Sequence, residues 1–381
     1  MVHRAGGLVL THSKEHALHC DVRAGDTVFY FTTCGWMMWN WLVSALAQGA
    51  TVLLYDGSPA YPDESALFAL AERHGVTLFG TSARFIHALQ ASGANPASRH
   101  DLSRLRTVAS TGSPLSPSGF EYVYRTIGAD VHLASVSGGT DIVGCFMLGV
   151  PTLPVHAGQI QRAGLGVDLA VFDAQGRPVV HEPGELVCRQ PLPSMPLRFV
   201  GDSDFARYRA AYLERYPGVW HHGDRIEVTS EGGIVVHGRS DATLNPGGVR
   251  IGTAEVYRAL ESVPEIVEAA AVGKKLIAPG DTSTTDEEVW LAVVLRHGAS
   301  LDQALRTRIA AAVRRDASPR HVPRQVFQVA DLPRTRSGKL MELTVARIVN
   351  GADPGDVDAV ANPASLGAVR EAVSALYRDL G

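Results

Sequence analysis

The sequence predicts an α/β protein: a large domain with a parallel sheet flanked by helices and a small β subdomain, followed by a smaller α+β domain. Three observations carry this expectation. Between Thr27 and Gly149 short apolar runs alternate with helix-like segments, the βα spacing of a parallel sheet covered by helices. From Gly158 to His237 strands and hairpins replace that alternation, and beyond the turn-rich stretch Gly238–Ile251 two helices and three strands follow. At 381 residues the chain is too long for one core, so two or three domains are expected. The changes in pattern place the boundaries at 1–157, 158–240, 241–350 and a tail at 351–381.

In the first region the strands are expected at Thr27–Thr32, Thr51–Tyr55, Thr77–Gly80, Thr107–Ser110 and Val131–Ala134. The helices between them are Trp36–Gln48, Asp63–His74, Ser82–Ser92 and Ser118–Ile127. Trp36–Ala47 is the most apolar run, but it falls short of the roughly 20 residues of a membrane span and contains Asn40, so it reads as a buried helix. In the second region Leu169–Phe172, Gly184–Cys188, and Ile226–Thr229 joined to Ile234–His237 through Glu231-Gly232-Gly233 read as strands and hairpins. In the third, Thr253–Val263 is a helix with Val256, Leu260 and Val263 on one face. Strands follow at Val267–Val272, Val289–Leu295 and Val326–Val329, with a helix at Leu301–Asp316 and a polar loop at Ala278–Glu288. The tail reads as a flexible stretch, Gly351–Asn362, closed by a helix at Leu366–Leu380.

A hydrophobic content of 45% and a net charge of −4 describe an ordinary globular chain, with nothing that points to nucleic acid or an anionic membrane. Cys20, Cys34, Cys145 and Cys188 are scattered without CxxC spacing, which argues against a disulfide framework and a zinc site and fits a reduced, cytoplasmic setting. Met1–Leu10 has no signal-peptide or transit-peptide layout and looks like a chain that begins inside a domain. His12, His16 and His19 with Glu15 superficially suggest a helical metal pair, but HSKEH is not the informative HExxH form; a polar helix face is the reading kept.

Five stretches have residue types that suit a ligand site or its hinge. Ligands of parallel sheets bind at loops leaving the carboxyl ends of strands, and Ser110–Pro114 and Ser137–Asp141 are two such loops with glycine backbone and hydroxyls. They suit close approach to a nucleotide, or are mere turns. Asp224, in Val219-Trp220-His221-His222-Gly223-Asp224, can hold both hydroxyls of a ribose, or cap a strand at its entrance. Lys339, after Gly338 in the loop Pro333–Lys339, can bring a three-donor cation to an anionic transition state, or lie solvated on the surface. Gly238–Ile251 holds Arg239, Asp241 and Arg250 among turn-forming Asn245, Pro246, Gly247 and Gly248. It reads as a hinge or as an ordinary charged linker.

Together these stretches resemble the adenylate-forming superfamily of acyl-CoA synthetases, peptide-synthetase adenylation domains and luciferases, over nearly the whole chain. STGSPLS at Ser110–Ser116 is similar to the adenine loop, SGGTD at Ser137–Asp141 to the aromatic-x-x-Thr-acid loop, and WHHGD at Trp220–Asp224 to Trp-x-x-Gly-Asp. GRSDATLNPGGVRI is similar to the hinge motif, and PRTRSGKL to the motif ending in a catalytic lysine. More narrowly, GGLVLTHSKEH, TTCGWMMWNW, SGGTD and ANPASL resemble the acetoacetyl-CoA synthetase group.

The resemblance implies a fold with a β-barrel subdomain and a hinged carboxyl-terminal domain. It implies ATP, Mg²⁺ and coenzyme A as cofactors and substrates, and small-molecule substrates as partners. Gly112, Ser113 and Pro114 would line adenine; Asp224 would hold the ribose, with Arg239 beside it. Thr140 would touch the α-phosphate. Asp141, a Glu in broader family members, would hold the metal. Asp241 would be the pivot, Gly248 would line the coenzyme A channel, and Arg250 would assist the nucleotide. Lys339 would bridge the carboxylate and α-phosphate, and Gly138 would leave room in the acyl pocket for an acid longer than acetate, such as a 3-keto acid.

The family's phosphate loop ending in Pro-Lys is not found in these residues. The resemblance therefore implies that the large domain is incomplete at its start and that a separate amino-terminal fragment is a candidate partner. Three activities stay open on the sequence: an acid–thiol ligase impaired in this chain alone, a non-catalytic AMP or coenzyme A binder, and an enzyme of the thioester half-reaction only.

Overall fold

The computed structural model of the chain describes residues 1–240, 244, 246, 251–277, 284–335, 338–355 and 357–380. It divides into two compact units, Met1–Val236 and His237–Gly381.

The first unit opens with α1 (Ala5–Lys14), which runs into a single π-helical turn, Glu15–His19. Five parallel strands follow in alternation with helices: β1 (Thr27–Tyr30), α2 (Met37–Ser44), β2 (Thr51–Leu53), α3 (Ala66–His74), β3 (Leu78–Ser82), α4 (Ala83–Ser92), β4 (Thr107–Thr111), α5 (Pro117–Thr126) and β5 (His132–Ser135). Their order in the sheet is β2-β1-β3-β4-β5. The period-2 alternation of a strand separates two cores. Phe29 and Phe79 pack with Phe68, Ile86 and Phe120 on the face covered by α3, α4 and α5. Val28, Tyr30 and Leu78 pack with Met38, Trp41 and Leu42 of α2 on the other. Each fully buried Leu or Phe contributes about 1.5–3 kcal/mol. The helices start and stop where local chemistry requires. Ser82 and Ser116 cap α4 and α5 by accepting the Phe85 and Gly119 amides at 3.2 Å, and Gly75 and Gly93 end α3 and α4 in the left-handed conformation. The apolar run at 36–47 is buried on one face only: Met38, Trp41, Leu42 and Ala45 are inside, whereas Leu46 is 57% exposed.

The rest of this unit is β-rich: β6 (Ser137–Gly139), β7 (Gly144–Leu148), β8 (Arg162–Ala163), β9 (Leu169–Phe172), β10 (Gly184–Cys188), α6 (Ala206–Tyr212), β11 (Trp220–Val228) and β12 (Ile234–Arg239), the last running into the unit boundary. They form a three-stranded sheet, β6-β7-β8, and a four-stranded sheet, β12-β11-β10-β9, which share a core of Ile142, Phe146, Ile160, Val171, Leu186, Trp220 and Ile226. Two sequence expectations are corrected. Asp224 lies inside β11, a strand that begins at Trp220 rather than at Ile226. His12, Glu15, His16 and His19 form a buried face, each at most 2% exposed, instead of a solvated polar one, because backbone carbonyls, an amide and an indole meet them in the interior.

The second unit contains α7 (Thr253–Leu260), β13 (Ile266–Ile277), β14 (Thr284–Leu295), α8 (Gln303–Asp316), β15 (Gln325–Gln328), α9 (Glu342–Val349) and α10 (Ala364–Leu380). Strand β14 pairs antiparallel with β13 and parallel with β15. One face of this sheet packs against Val256, Leu260, Ile309 and Val313 of α7 and α8; the other packs against Val345, Ile348 and Val349 of α9 and Val369 and Val373 of α10. The expected polar loop at 278–288 is partly strand, since Lys274 and Lys275 stand opposite Glu288 and Glu287 in the register and cross-strand opposite charges stabilise a pair. The stretch before α10 is tied down by a buried Val360 and by the Asn362 side chain, which donates to Asp331 at 2.6 Å and accepts the Arg334 amide at 3.0 Å.

Candidate active site

The two glycine loops leave the carboxyl ends of neighbouring parallel strands, β4 and β5, where α/β sheets place their ligands. Gly112 follows β4 with φ +90°, a conformation that favours glycine, and Gly112, Ser113 and Pro114 are exposed there. Thr111 Oγ1 donates to the Val136 carbonyl at 2.9 Å, stitching one loop to the base of the other. The second loop becomes the hairpin β6–β7, in which Gly138 pairs with Cys145. A Cβ at Gly138 would overlap the Gly144 carbonyl oxygen. The glycine is therefore required by the backbone before any question of acyl room arises. Thr140 is exposed at the turn and Asp141 is half-buried.

Asp224 reaches the same place from the second sheet. Opposite Glu185, Leu186 and Val187 the register of β11 slips, so that three residues, His222 to Asp224, face the single Leu186. Gly223 permits the bulge with φ +82°. The bulge leaves His222 Nε2 3.7 Å from Asp224 Oδ2 and sets the His222 ring on Phe146, centroids 4.6 Å apart. Where the second loop meets this bulge sits Gly139: a Cβ there would lie 3.0 Å from His222 Cε1 and 3.1 Å from Asp141 Oδ2. Asp141 and His222 thus meet at one glycine, with Thr140 next to it in the chain and Asp224 beside His222.

The turn bearing Asp141 is held from behind by the amino-terminal helix. His3 Nε2 lies 2.9 Å from the Asp141 carbonyl, His12 Nε2 lies 2.5 Å from that of Val143, and His19 Nδ1 lies 2.8 Å from that of Gly149. Glu15 accepts the Cys145 amide at 3.0 Å with one oxygen and the Trp41 indole N–H at 2.9 Å with the other; Lys14 Nζ is 3.6 Å away. Val143 is held at φ +42°, a strained position for a β-branched residue. Burial pushes the Glu15 carboxyl up and the His12 and His19 imidazoles down, and takes His16 down to about 4. Sequence reasoning missed this clamp, and also Tyr212, whose hydroxyl donates to Asp141 Oδ1.

A magnesium ion fits the donor set in one respect. With Oδ1 taking the tyrosine hydroxyl, Asp141 Oδ2 is the oxygen that would serve a metal, and Mg²⁺ is usually bound by one or two carboxylates with substrate phosphates and water completing the shell. Among the described residues no three His, Cys, Asp or Glu side chains gather as a metal site. All four cysteines are free thiols, with Cys34 exposed. No helix among the described residues is long and apolar enough to cross a membrane.

In the second unit Lys339 is exposed on a closed turn, not on an untethered loop. Its amide donates to Thr335 Oγ1 at 3.1 Å, and its carbonyl accepts the Thr335 amide at 2.9 Å; Gly338 makes the turn with φ +81°. Arg239 ends β12, half-buried. Asp241, Gly248 and Arg250 lie outside the described residues.

The family model for the AMP-binding enzyme matches residues 2–195, and that for the AMP-binding enzyme C-terminal domain matches 255–339. The chain is 54% identical over 366 residues to the acetoacetyl-coenzyme A synthetase of Rhizobium meliloti (strain 1021), covering 96% of this chain and 55% of the relative. It is 44% identical to the acetoacetyl-CoA synthetase of Danio rerio, covering 96% and 54%. The solved acetoacetyl-CoA synthetase from Streptomyces lividans superposes with a TM-score of 0.90 at 45% identity, over 98% of this chain and 57% of that one. The chain spans about half the length of the relatives it matches. With one family model running through both glycine loops and the other ending on Lys339, the chain belongs to the AMP-binding enzyme family.

Proposed function

We propose that this chain is the nucleotide-activating and lysine-bearing part of an ATP-dependent acid–thiol ligase whose acid is acetoacetate or a similar short 3-keto acid. The observation that carries the reading is the meeting of Asp141 and His222 at Gly139, with Asp224 beside His222, in the loop that leaves the carboxyl end of β5 in the parallel sheet. The acid is read from the names of relatives up to 54% identical. Asp224 takes the ribose hydroxyls, with Arg239 beside it, and Arg250 assists on the nucleotide side. Gly112, Ser113 and Pro114 lie along the adenine. Thr140 donates to the α-phosphate.

The substrate carboxylate attacks the α-phosphorus, the bond to the bridging oxygen breaks, and pyrophosphate leaves with that electron pair. Mg²⁺, when bound at Asp141, supplies charge neutralisation at the phosphates. Lys339 adds a positive charge between carboxylate and α-phosphate, a preorganised electrostatic role. The coenzyme A thiol then attacks the acyl carbon and AMP leaves. Asp241 is the pivot that exchanges Lys339 for Gly248 between the two steps, and Gly138 lies on the acyl side. Four free thiols suit a reducing, cytoplasmic setting.

The test is to supply the 381-residue chain with ATP, Mg²⁺, acetoacetate and coenzyme A, and to measure acid-dependent AMP release. A parallel reaction starts from preformed acetoacetyl-adenylate and coenzyme A. Acid-dependent AMP supports the full ligase, and thioester from the adenylate alone restricts this chain to the second half-reaction. Neither product from a folded chain contradicts the catalytic reading.

A further inference from the structure

We propose that Tyr212 is a positioning residue for the Asp141 carboxylate, and that the two side chains form a length-matched pair that makes aspartate the acid this site requires. The proposal rests on the nucleotide-activating reading of the site for its consequence and on geometry for its substance. The Tyr212 hydroxyl donates to Asp141 Oδ1 across 71 residues of sequence. Its ring is 6% exposed and lies flat on Trp220, centroids 3.7 Å apart at 12°, with the edges of Tyr208 and Phe199 at 5.3 and 5.8 Å. Tyr212 is the last residue of α6, and the first turn of that helix is fixed by Asp202, which accepts the Arg207 and Tyr208 amides at 3.1 and 2.9 Å. A hydroxyl so mounted has no rotamer freedom with which to follow a moving carboxylate.

Asp141 has equally little room. Its carbonyl meets His3 at 2.9 Å, and the backbone beyond it is held by His12 at Val143 and by Glu15 at Cys145. On its other side Oδ2 lies against Gly139, where a Cβ would stand 3.1 Å from it and 3.0 Å from His222 Cε1. One extra methylene extends a side chain by about 1.5 Å, which in this gap drives the carboxylate into the tyrosine hydroxyl or the imidazole. The bond to Tyr212 also presents Asp141 with Oδ2, rather than either oxygen, directed away from the hydroxyl toward a ligand. Trp220 therefore acts on Asp141 through Tyr212, and Asp224, four residues further along the same strand, closes the site from the other side.

The test uses the 381-residue chain and its Tyr212→Phe, Asp141→Glu and doubly substituted forms, with Tyr208→Phe as a neighbouring control and near-ultraviolet circular dichroism as the check of folding. Hydrogen exchange is followed in the peptide 140–145. Tyr212→Phe keeps the stack on Trp220 and removes one hydrogen bond to a charged group, so exchange there accelerates about tenfold while the peptide 220–228 is unchanged. Asp141→Glu accelerates it as well, and the double variant exchanges no faster than Tyr212→Phe alone, the non-additivity of a coupled pair. Tyr208→Phe changes nothing in the peptide 140–145. An unchanged exchange rate in Tyr212→Phe, or additive effects in the double variant, overturns the proposal.

Calorimetric titration with AMP, in Mg²⁺ and in EDTA, reads the functional consequence. Tyr212→Phe weakens binding in Mg²⁺ and leaves the EDTA value alone; equal weakening in both assigns Tyr212 a structural role only and overturns positioning. A wild-type chain that binds no AMP contradicts the nucleotide reading, while the exchange data still decide whether Tyr212 holds Asp141.

Discussion

Glu15 Oε1 accepts the backbone amide of Cys145 at 3.0 Å, across 130 residues of sequence, while its second oxygen takes the Trp41 indole. One buried carboxylate thereby ties the amino-terminal helix to α2 and to the strand that follows the Thr140–Asp141 turn. Removing it leaves two buried donors without an acceptor, each costing about 1–3 kcal/mol. Glu15→Ala is expected to destabilise the first unit by about 3 kcal/mol, and Glu15→Gln, which keeps one oxygen, by about 1 kcal/mol. Denaturant unfolding followed by tryptophan fluorescence measures both, and equal losses would show that the carboxylate is not the joint.

Stability of the first unit is expected to fall as the medium is acidified from pH 7. His16 titrates near 6.5 when unfolded and at about 4 when folded, so its contribution is complete above pH 6.5 and is lost as pH falls towards 4, a change of about 3 kcal/mol. His12 and His19 are lowered too and act in the same direction. Glu15 is raised and works the opposite way, adding stability as pH falls through its folded value. His132, also lowered by burial, adds a further imidazole to the loss on acidification. His16→Gln should flatten the profile between pH 6.5 and 4; a slope identical to the wild type would remove His16 as the cause.

Two glycines separate backbone necessity from tolerance. Gly138→Ala puts a methyl onto the Gly144 carbonyl and is expected to cost about 3 kcal/mol and to abolish acid-dependent AMP release. Gly6→Ala, in α1 with nothing within 4 Å of the new methyl, should stabilise the chain by about 0.5–1 kcal/mol. Thermal melts of the two variants decide the matter, and a Gly138→Ala melt matching the wild type would refute the hairpin geometry.

The clamp also shows where sequence reading stopped. The five parallel strands and their helices were legible because period and flanking turn residues are local: Thr27–Tyr30, Leu78–Ser82 and Ser82-capped α4 stand within a few residues of where apolar runs placed them. The glycine loops and Asp224 were legible as motifs. The burial of His12, Glu15, His16 and His19 was not, since their partners at Val143, Cys145, Trp41 and Gly149 lie 25 to 131 residues away and a polar stripe reads identically whether water or carbonyls meet it. Tyr212 belongs to no motif and sits in a seven-residue helix, so only the stacked Trp220 and the fold bring it to Asp141. Helix α9 is not evident from the sequence although Val345, Ile348 and Val349 form its buried stripe, because eight residues give barely two turns in which a 3.6-residue period can show.

In the second unit Glu255 is held between two imidazoles, His237 Nδ1 at 3.2 Å and His321 Nε2 at 2.5 Å. The bonds to His237 and His321 keep its carboxyl well below the usual range, so its contribution is present above about pH 4.5 and is lost as pH falls toward the lower folded value. Glu255→Gln should lower the melting temperature of the unit at pH 7 and have progressively less effect as the pH is taken below 4. An effect of constant size across that range would assign Glu255 a packing role instead.

The nucleotide site itself is tested most directly by titrating AMP calorimetrically into the 381-residue chain and into Asp224→Asn and Lys339→Ala. The expected result is saturable binding by the wild type, binding weakened about tenfold or more by Asp224→Asn through loss of a charged ribose contact, and binding weakened by Lys339→Ala only where the lysine reaches the α-phosphate. A folded wild-type chain that takes up no AMP, or an Asp224→Asn variant that binds it as tightly as the wild type, would contradict the site.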